Sequence, residues 1–225
     1  MVRISGKRYL RGASRLDWAQ PLSESDMSVQ IDYYLSPQSP WTYLGHERFA
    51  EVAKAANAKI NVLPVDLGQI FPVSGGLPLS KRAPQRQTYR LVELQRWSEY
   101  LGRPLNLKPA YFPVDGHDAA KLIIAVDGAD GTDAAMKIAG AIMRGVWVEQ
   151  RHIADPAVLQ KMLEEAGLPA RRLDDSQSQA VHDRYEADSQ RAIEAGVFGA
   201  PSYVLDGELF WGQDRLDFLE RRLAK

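Results

Sequence analysis

Strand-like patterns near the two ends of the chain, with a long helical stretch between them, constrain the fold more than any other feature. Val29–Leu35 is rich in β-branched and aromatic residues and stops at a Ser-Pro, which predicts a strand. Trp41–Ala56 has one apolar face and predicts a helix, and Lys59–Leu67 predicts a second strand. This order indicates a β-α-β unit with parallel strands.

The C-terminal part returns to strands after a middle section that is helical by period. Ser202–Leu205 and Glu208–Trp211 flank an Asp-Gly pair, which predicts a β-hairpin. Asp214–Leu223 predicts a closing helix with leucines on one face. The middle section runs from about residue 84 to 195, has no convincing strand, and includes a turn that we expect at Asp127-Gly128.

The pattern predicts an α/β fold with three parts. Residues 1–26 carry five arginines and lysines, and we expect a basic, loosely ordered extension there. Residues 27–80 and 197–225 are expected to form one α/β domain. Residues 81–196 are expected to form a helical domain inserted into it.

The 225-residue chain contains no cysteine. This excludes a disulfide framework, a thiolate metal site, a cysteine nucleophile and a redox dithiol within the chain. With 28 Lys+Arg against 29 Asp+Glu, the net charge of −1 gives no general attraction to nucleic acid or membranes. No apolar stretch approaches the roughly 20 residues of a membrane helix, and we expect a cytoplasmic protein.

Several common catalytic motifs are missing. The sequence has no Gly-x-Ser-x-Gly, no phosphate-binding Gly-x-x-x-x-Gly-Lys-Ser/Thr and no dinucleotide-binding Gly-x-Gly-x-x-Gly. Its four histidines are far apart, so we expect no metal site and place each histidine at or near the surface. The acidic segment 127–133 does not fit a calcium loop and is interpreted as a connection.

The segment Ser36–Trp41 lies where the first strand gives way to the first helix. Pro37 favours an extended Ser36, and either proline of the segment suits a first helical turn. Hydroxyl groups at this point lie beside unpaired N–H groups at the positive end of the helix. Simple N-capping by serine is one interpretation, and a functional hydroxyl is the other.

Two further segments have comparable alternatives. Pro201, directly before a short strand, is either a cis proline in a turn entering the sheet or a plain trans proline. Asp214, just before the last helix, either caps that helix or accepts an ammonium group from a ligand.

Taken together, these segments resemble a thioredoxin-like fold with an inserted helical domain, in the branch shared by periplasmic thiol oxidases and kappa-class glutathione transferases. The thiol oxidases carry Cys-Pro-x-Cys where this chain has Ser36–Ser39. The sequence is most similar to the 2-hydroxychromene-2-carboxylate isomerases, over about residues 29–223. The matching strings are Asp32–Ser39 (DYYLSPQS), Leu94–Trp97 (LQRW), Val197–Pro201 (VFGAP) and Trp211–Arg215 (WGQDR).

The resemblance implies a glutathione site. Ser36 corresponds to the serine whose hydroxyl faces the glutathione sulfur, and Ala200 with the cis Pro201 corresponds to the backbone that binds the cysteinyl part. Gln213 and Asp214 correspond to positions near the γ-glutamyl end. Further backbone contacts are expected from Gly76 and Leu77. For the glycine carboxylate, the candidate side chains are those of Lys81, Arg82 and Lys108.

The resemblance also implies the reaction, a glutathione-dependent cis–trans isomerisation of 2-hydroxychromene-2-carboxylate or a related intermediate of aromatic degradation. It would proceed by thiolate addition, bond rotation and elimination. A kappa-like glutathione transferase or peroxidase and a non-catalytic binding protein remain alternatives. Tyr33, Tyr34, Trp41 and Trp97 are candidates either for an aromatic substrate pocket or for the core. A homodimer is expected by analogy.

Overall fold

The computed structural model describes residues 29–225, so the extension predicted for residues 1–26 lies outside the described part. The four strands form one mixed sheet in the order β2-β1-β3-β4. They are β1 (Gln30–Leu35), β2 (Lys59–Pro64), β3 (Ser202–Leu205) and β4 (Glu208–Trp211). β1 pairs in parallel with β2 and antiparallel with β3, which in turn pairs antiparallel with β4. The predicted α/β sheet and C-terminal hairpin are confirmed.

The described helices fall between and after these strands. They are α1 (Pro40–Ala55), α2 (Leu67–Ser74), α3 (Pro84–Leu101), α4 (His117–Asp130), α5 (Thr132–Trp147), α6 (Pro156–Ala166), α7 (Arg172–Asp175), α8 (Gln179–Glu194) and α9 (Leu216–Leu223). None of these helices within residues 29–225 has both the length and the apolar character needed to span a membrane.

Two local predictions are wrong. The strand predicted to reach Leu67 ends at Pro64, because the Asp66 side chain accepts a hydrogen bond from Gly68 N at 2.7 Å and caps α2. The turn predicted at Asp127-Gly128 is absent, because α4 continues to Asp130 and the chain turns at Gly131, where φ is +87°. A surface glycine inside a helix costs only about 1 kcal/mol, which the buried apolar face of α4 offsets.

One hydrophobic cluster joins the sheet to the helical block. Tyr33 of β1, Phe49 of α1 and Tyr203 of β3 pack together, with ring centroids 4.5 to 5.4 Å apart. The same cluster continues into α5 through Ile142 and Trp147, both fully buried. The division into residues 27–80 with 197–225 and residues 81–196 stays a prediction, and a continuous core connects the two parts.

His46 lies inside this junction, although the sequence suggested a histidine at or near the surface. The side chain is buried, and its Nε2–H donates to the Met136 carbonyl of α5 at 2.9 Å. Because a carbonyl only accepts, Nδ1 is the acceptor and receives the Tyr33 hydroxyl at 3.0 Å. Burial lowers the pKa of His46 below its ordinary value of 6.5.

This arrangement predicts a pH-dependent stability. Unfolding releases His46 from burial, so below about pH 6.5 the unfolded chain binds a proton that the folded chain resists. The contribution of His46 to the free energy of unfolding is fully present at pH values above the pKa of this histidine in the unfolded chain. It declines as the pH falls through that pKa. The measurement compares free energies of unfolding of the natural chain and a His46→Gln variant between pH 8 and pH 5. The difference between the two free energies of unfolding should become smaller below about pH 6.5. A difference that stays constant with pH would contradict the conclusion that the buried imidazole of His46 is neutral.

Candidate active site

The turn between β1 and α1 gives its two serines different tasks. Ser39 is the N-cap of α1, and its Oγ accepts the Thr42 N–H at 3.2 Å while Pro40 occupies the first helical position. The capping interpretation is therefore correct for Ser39. Ser36 makes no cap bond: its hydroxyl donates to Gln38 Oε1 at 3.1 Å. The side chain of Ser36 is thus not needed to cap the N-terminus of α1.

Ser36 lies at the bottom of a cavity of about 820 Å³, here called the main cavity. The residue is only 1% exposed, so a group that reaches its hydroxyl must enter the cavity. Gln38 is held against Gly116 at the start of α4, where an added Cβ would lie 2.1 Å from Gln38 Oε1. A glycine at position 116 is therefore required for the position of the side chain that Ser36 contacts.

The turn before β3 also lines the main cavity, through Gly199 and Ala200. The Ala200–Pro201 peptide is cis, as the resemblance implies. The Ala200 carbonyl accepts the Ser39 hydroxyl at 3.3 Å, and the Pro201 carbonyl accepts Gly212 N at 2.9 Å. These bonds fix the Ala200 backbone beside Ser36. Pro201 itself does not line the cavity but holds Ala200 in place.

Gly76 and Leu77 line the main cavity away from this turn. Phe71 packs closely on Gly76, where an added Cβ would lie 2.3 Å from Phe71 Cδ1. The Leu77 carbonyl accepts Arg82 Nε at 2.8 Å, which holds the guanidinium at the cavity wall. Of the three cationic candidates for a carboxylate contact, Arg82 lines the cavity, and Lys81 and Lys108 do not.

Gln213 and Asp214 line a second cavity of about 620 Å³, here called the side cavity. The Gln213 side chain is 2% exposed, and neither its Oε1 nor its Nε2 has a hydrogen-bond partner within residues 29–225. Asp214 caps neither the last helix nor the short turn before it, and its nearest cationic partner is Arg215 Nη2 at 3.4 Å. The capping alternative for Asp214 is therefore wrong.

The two cavities share a wall, so the predicted site residues fall along one continuous cleft. The residues that line both cavities are Trp41, Arg82, Arg86, Arg90, Ala200 and Trp211. Ser36, Gly76 and Leu77 lie on one side of this wall, and Gln213 and Asp214 lie on the other. The cleft thus contains the residues that the resemblance placed in the glutathione site, except Pro201, which supports Ala200, and the cationic alternatives Lys81 and Lys108, which line neither cavity.

The aromatic candidates divide into core and cleft. Tyr33 and Tyr34 are fully buried in the core, and burial raises the pKa of both phenols. Trp41 and Trp97 line the cavities. Sequence reasoning missed Phe112, which follows α3 by ten residues of loop-like sequence and lines the main cavity.

Arg86 and Arg90 were also missed, although the sequence contains a usable signal. Arg82, Arg86 and Arg90 recur at every fourth position, which places the last two on one face of α3. Burial, and then the neighbouring charge of Arg82, lower the pKa of Arg90 to about 10, so the guanidinium remains charged at neutral pH. The cleft therefore carries concentrated positive charge beside its aromatic walls.

No group of three or more potential metal-ligating side chains occurs within the described part of the chain. The acidic segment 127–133 joins the end of α4 to the start of α5, and Asp127 there pairs with Arg184 at 2.9 Å. The chemistry available in the cleft is that of hydroxyl, amide, carboxylate, guanidinium and indole groups and of the imidazole of His117.

Comparison with known proteins agrees with this fold and site. A family model described as a DsbA-like thioredoxin domain matches residues 30–224. A 2-hydroxychromene-2-carboxylate isomerase of Sphingobium xenophagum is 30% identical over 88% of this chain and 99% of its own. A solved structure of a 2-hydroxychromene-2-carboxylate isomerase is 27% identical, with a TM-score of 0.73 over 87% of this chain and 94% of the other. Glutathione S-transferase kappa 1 of Rattus norvegicus is 20% identical over 87% of this chain and 91% of its own.

The fold and the site define a member of the DsbA-like thioredoxin class whose sequence contains no cysteine. The chain belongs to the family of 2-hydroxychromene-2-carboxylate isomerases within that class. The predicted resemblance is confirmed. Because the sequence contains no cysteine, dithiol–disulfide exchange by this chain is excluded.

Proposed function

We propose that this protein is a glutathione-dependent isomerase that converts 2-hydroxychromene-2-carboxylate, or a closely related aromatic carboxylate, into its trans ring-opened isomer. The observation that carries the proposal is the Ser36 hydroxyl, buried at the bottom of the cleft and free of any capping duty. A cysteine-free chain that keeps this hydroxyl in the same cavity as Ala200 has the arrangement needed to hold a thiolate supplied by a ligand.

The charges along the cleft fit the tripeptide. Glutathione has an ammonium and a carboxylate at its γ-glutamyl end, and the side cavity offers the Asp214 carboxylate with the unpartnered amide of Gln213. Glutathione has a second carboxylate at its glycine end, which would meet Arg82 beside Leu77 in the main cavity. Ala200 lies between these ends and lines both cavities.

When bound, glutathione supplies a nucleophilic thiolate whose reversible addition turns a double bond of the substrate into a rotatable single bond. The task of Ser36 is to donate its hydroxyl to the sulfur and so favour the charged form. In the ligand-free protein the single hydroxyl hydrogen of Ser36 is donated to the Gln38 amide oxygen. The hydroxyl must therefore turn from Gln38 to the sulfur when glutathione binds.

The free energy needed to ionise the glutathione thiol at neutral pH calls for both the Ser36 hydroxyl and the N-terminus of α1. A free thiol has a pKa of about 8.5, and lowering it by roughly two units requires about 2.7 kcal/mol. A helix N-terminus contributes typically 0.3–1 kcal/mol. A hydrogen bond to a charged group contributes about 1.5–3 kcal/mol. The helix alone therefore provides too little, and the hydroxyl supplies the larger share.

The remaining surface of the cleft suits a small aromatic substrate. Trp41 and Trp211 lie in the wall common to both cavities, and Phe112 lines the main cavity near Arg90. Flat aromatic walls beside positive charge fit a planar, anionic ring compound. The cytoplasmic location and the homodimer expected from sequence remain part of the proposal.

Calorimetric titration with glutathione is the first test. We expect saturable binding below millimolar concentration and weaker binding of cysteinylglycine, which lacks the γ-glutamyl group that Gln213 and Asp214 would contact. Absence of glutathione binding at millimolar concentration would contradict the proposal. A kappa-like transferase would also bind glutathione, but it would conjugate an electrophilic aryl halide rapidly and leave the chromene carboxylate unchanged.

A further inference from the structure

Three arginines form a positive strip along the cleft, and glutathione does not account for all of them. Arg82 precedes α3, and Arg86 and Arg90 follow on α3 at intervals of one turn. All three line both cavities. Glutathione brings two carboxylates to the cleft: the γ-glutamyl one is assigned to Gln213 in the side cavity, and Arg82 is fixed beside Leu77 to meet the glycine one. Arg86 and Arg90 therefore lack an assigned anion.

Neither guanidinium is neutralised by the protein within residues 29–225. Arg86 and Arg90 form no salt bridge there, whereas Arg96 on the same helix pairs with Glu93 at 2.8 Å. The acid nearest in sequence to Arg90 is Glu93, which is thus already engaged. Asp115, which also lines the main cavity, accepts the His117 N–H at 2.8 Å. The positive charge of the strip is available to a ligand.

Arg90 is held in a defined position rather than extended into solvent. Its Cζ lies 5.3 Å from the centroid of the Phe112 ring and 5.8 Å from that of Trp147. A guanidinium that packs against aromatic rings still presents N–H groups at its edge for hydrogen bonding. Burial without an acidic partner lowers the pKa of Arg90, and an incoming carboxylate would relieve that cost.

We propose that Arg86 and Arg90 form the subsite for the carboxylate of the aromatic substrate, which rests on the proposed function for the identity of the reaction. Guanidinium groups bind carboxylates through paired, charge-assisted hydrogen bonds, which fix orientation as well as position. With its carboxylate on this pair, the substrate ring lies beside Phe112 and Trp41 in the cavity that contains Ser36. The subsite selects planar aromatic compounds that carry a carboxylate.

The test uses a stable probe, chromone-2-carboxylate, and its uncharged analogue chromone. Binding is followed by the fluorescence of the cleft tryptophans. We expect Arg90→Met to weaken chromone-2-carboxylate binding about tenfold, the effect of one charge-assisted hydrogen bond, and to leave chromone binding unchanged. Arg86→Met should weaken it about threefold to tenfold, because Arg86 is more exposed and more screened by solvent.

Two controls keep the result interpretable. Arg96→Met removes an arginine of the same helix that lines neither cavity, and it should leave both affinities unchanged. Because Arg90 packs on Phe112 and Trp147, Arg90→Lys keeps the charge and loses the paired N–H groups, so it tests two-point binding of the carboxylate. Arg86→Met removes a charge and leaves the core intact. Unchanged affinity for chromone-2-carboxylate in both Arg86→Met and Arg90→Met would overturn the subsite.

Failure of the subsite and failure of the proposed function give different results. If the arginine variants bind the probe normally while glutathione still binds, the subsite is wrong and the glutathione proposal stands. If the natural chain binds chromone-2-carboxylate through Arg86 and Arg90 but does not bind glutathione, the subsite stands and the reaction is wrong.

Discussion

Replacing Ser36 with alanine is expected to lower glutathione-dependent turnover by about tenfold to a hundredfold, since one hydrogen bond to a charged sulfur is worth about 1.5–3 kcal/mol. The same change should lower the free energy of unfolding by less than about 1 kcal/mol, because the hydroxyl contacts only the Gln38 amide and caps nothing. The loss should appear in kcat/KM and as a higher thiol pKa of bound glutathione, read from the ultraviolet absorbance of the thiolate.

The second serine of the turn provides a matched comparison. Ser39→Ala removes the N-cap of α1 and should cost about 1 kcal/mol of stability, with a lower Tm. Its effect on the thiol pKa should be smaller than that of Ser36→Ala, because its hydroxyl is committed to Thr42 N and the Ala200 carbonyl. Normal turnover and a normal thiol pKa in Ser36→Ala would remove Ser36 from the catalytic role.

Gln213→Leu is expected to change stability and binding in opposite directions. The buried amide of Gln213 has no partner within the described residues, and an unsatisfied buried polar group costs about 1–3 kcal/mol. A leucine of similar size removes that cost, so the ligand-free protein should have a higher Tm. Glutathione affinity should fall about tenfold to a hundredfold, because the amide is lost from the γ-glutamyl subsite.

Thermal unfolding with and without a fixed excess of glutathione measures both effects, since the stabilisation of the folded state by a ligand grows with the logarithm of its affinity. The control is Gln160→Leu, which replaces an exposed glutamine of α6 that contacts Glu164 and should change neither quantity. If Gln213→Leu lowers the Tm of the ligand-free protein and leaves the glutathione-dependent shift intact, Gln213 is a structural residue and the γ-glutamyl subsite is misplaced.

Local signals in the sequence were sufficient to predict the strands of the sheet and most of the helices. The β3–β4 hairpin was predicted at its observed bounds, because Asp206 and Gly207 both adopt positive φ, +51° and +79°, in the turn that Asp-Gly favours. α6 lies between an Asp155 N-cap and Gly167, two residue types that commonly bound a helix. α2 was missed because it has only eight residues and contains Pro72, so its sequence has no helical period to read.

The site was only partly predictable, since its residues act through tertiary placement. The resemblance identified Ser36, Gln213 and Asp214 by position, but nothing in the sequence shows that Gln213 is buried without a partner. The different roles of Ser36 and Ser39 likewise depend on which hydroxyl reaches the Thr42 N–H in the first turn of α1. Arg90 gains its significance from Phe112, 22 positions away, which no local pattern connects to it.

The most direct test of the account is the rate at which the purified protein isomerises 2-hydroxychromene-2-carboxylate, measured with and without glutathione. We expect rapid isomerisation only when glutathione is present, with most of that rate lost in Ser36→Ala. Isomerisation at the same rate without glutathione would contradict the proposed function, as would a protein that binds glutathione and leaves the chromene carboxylate unchanged.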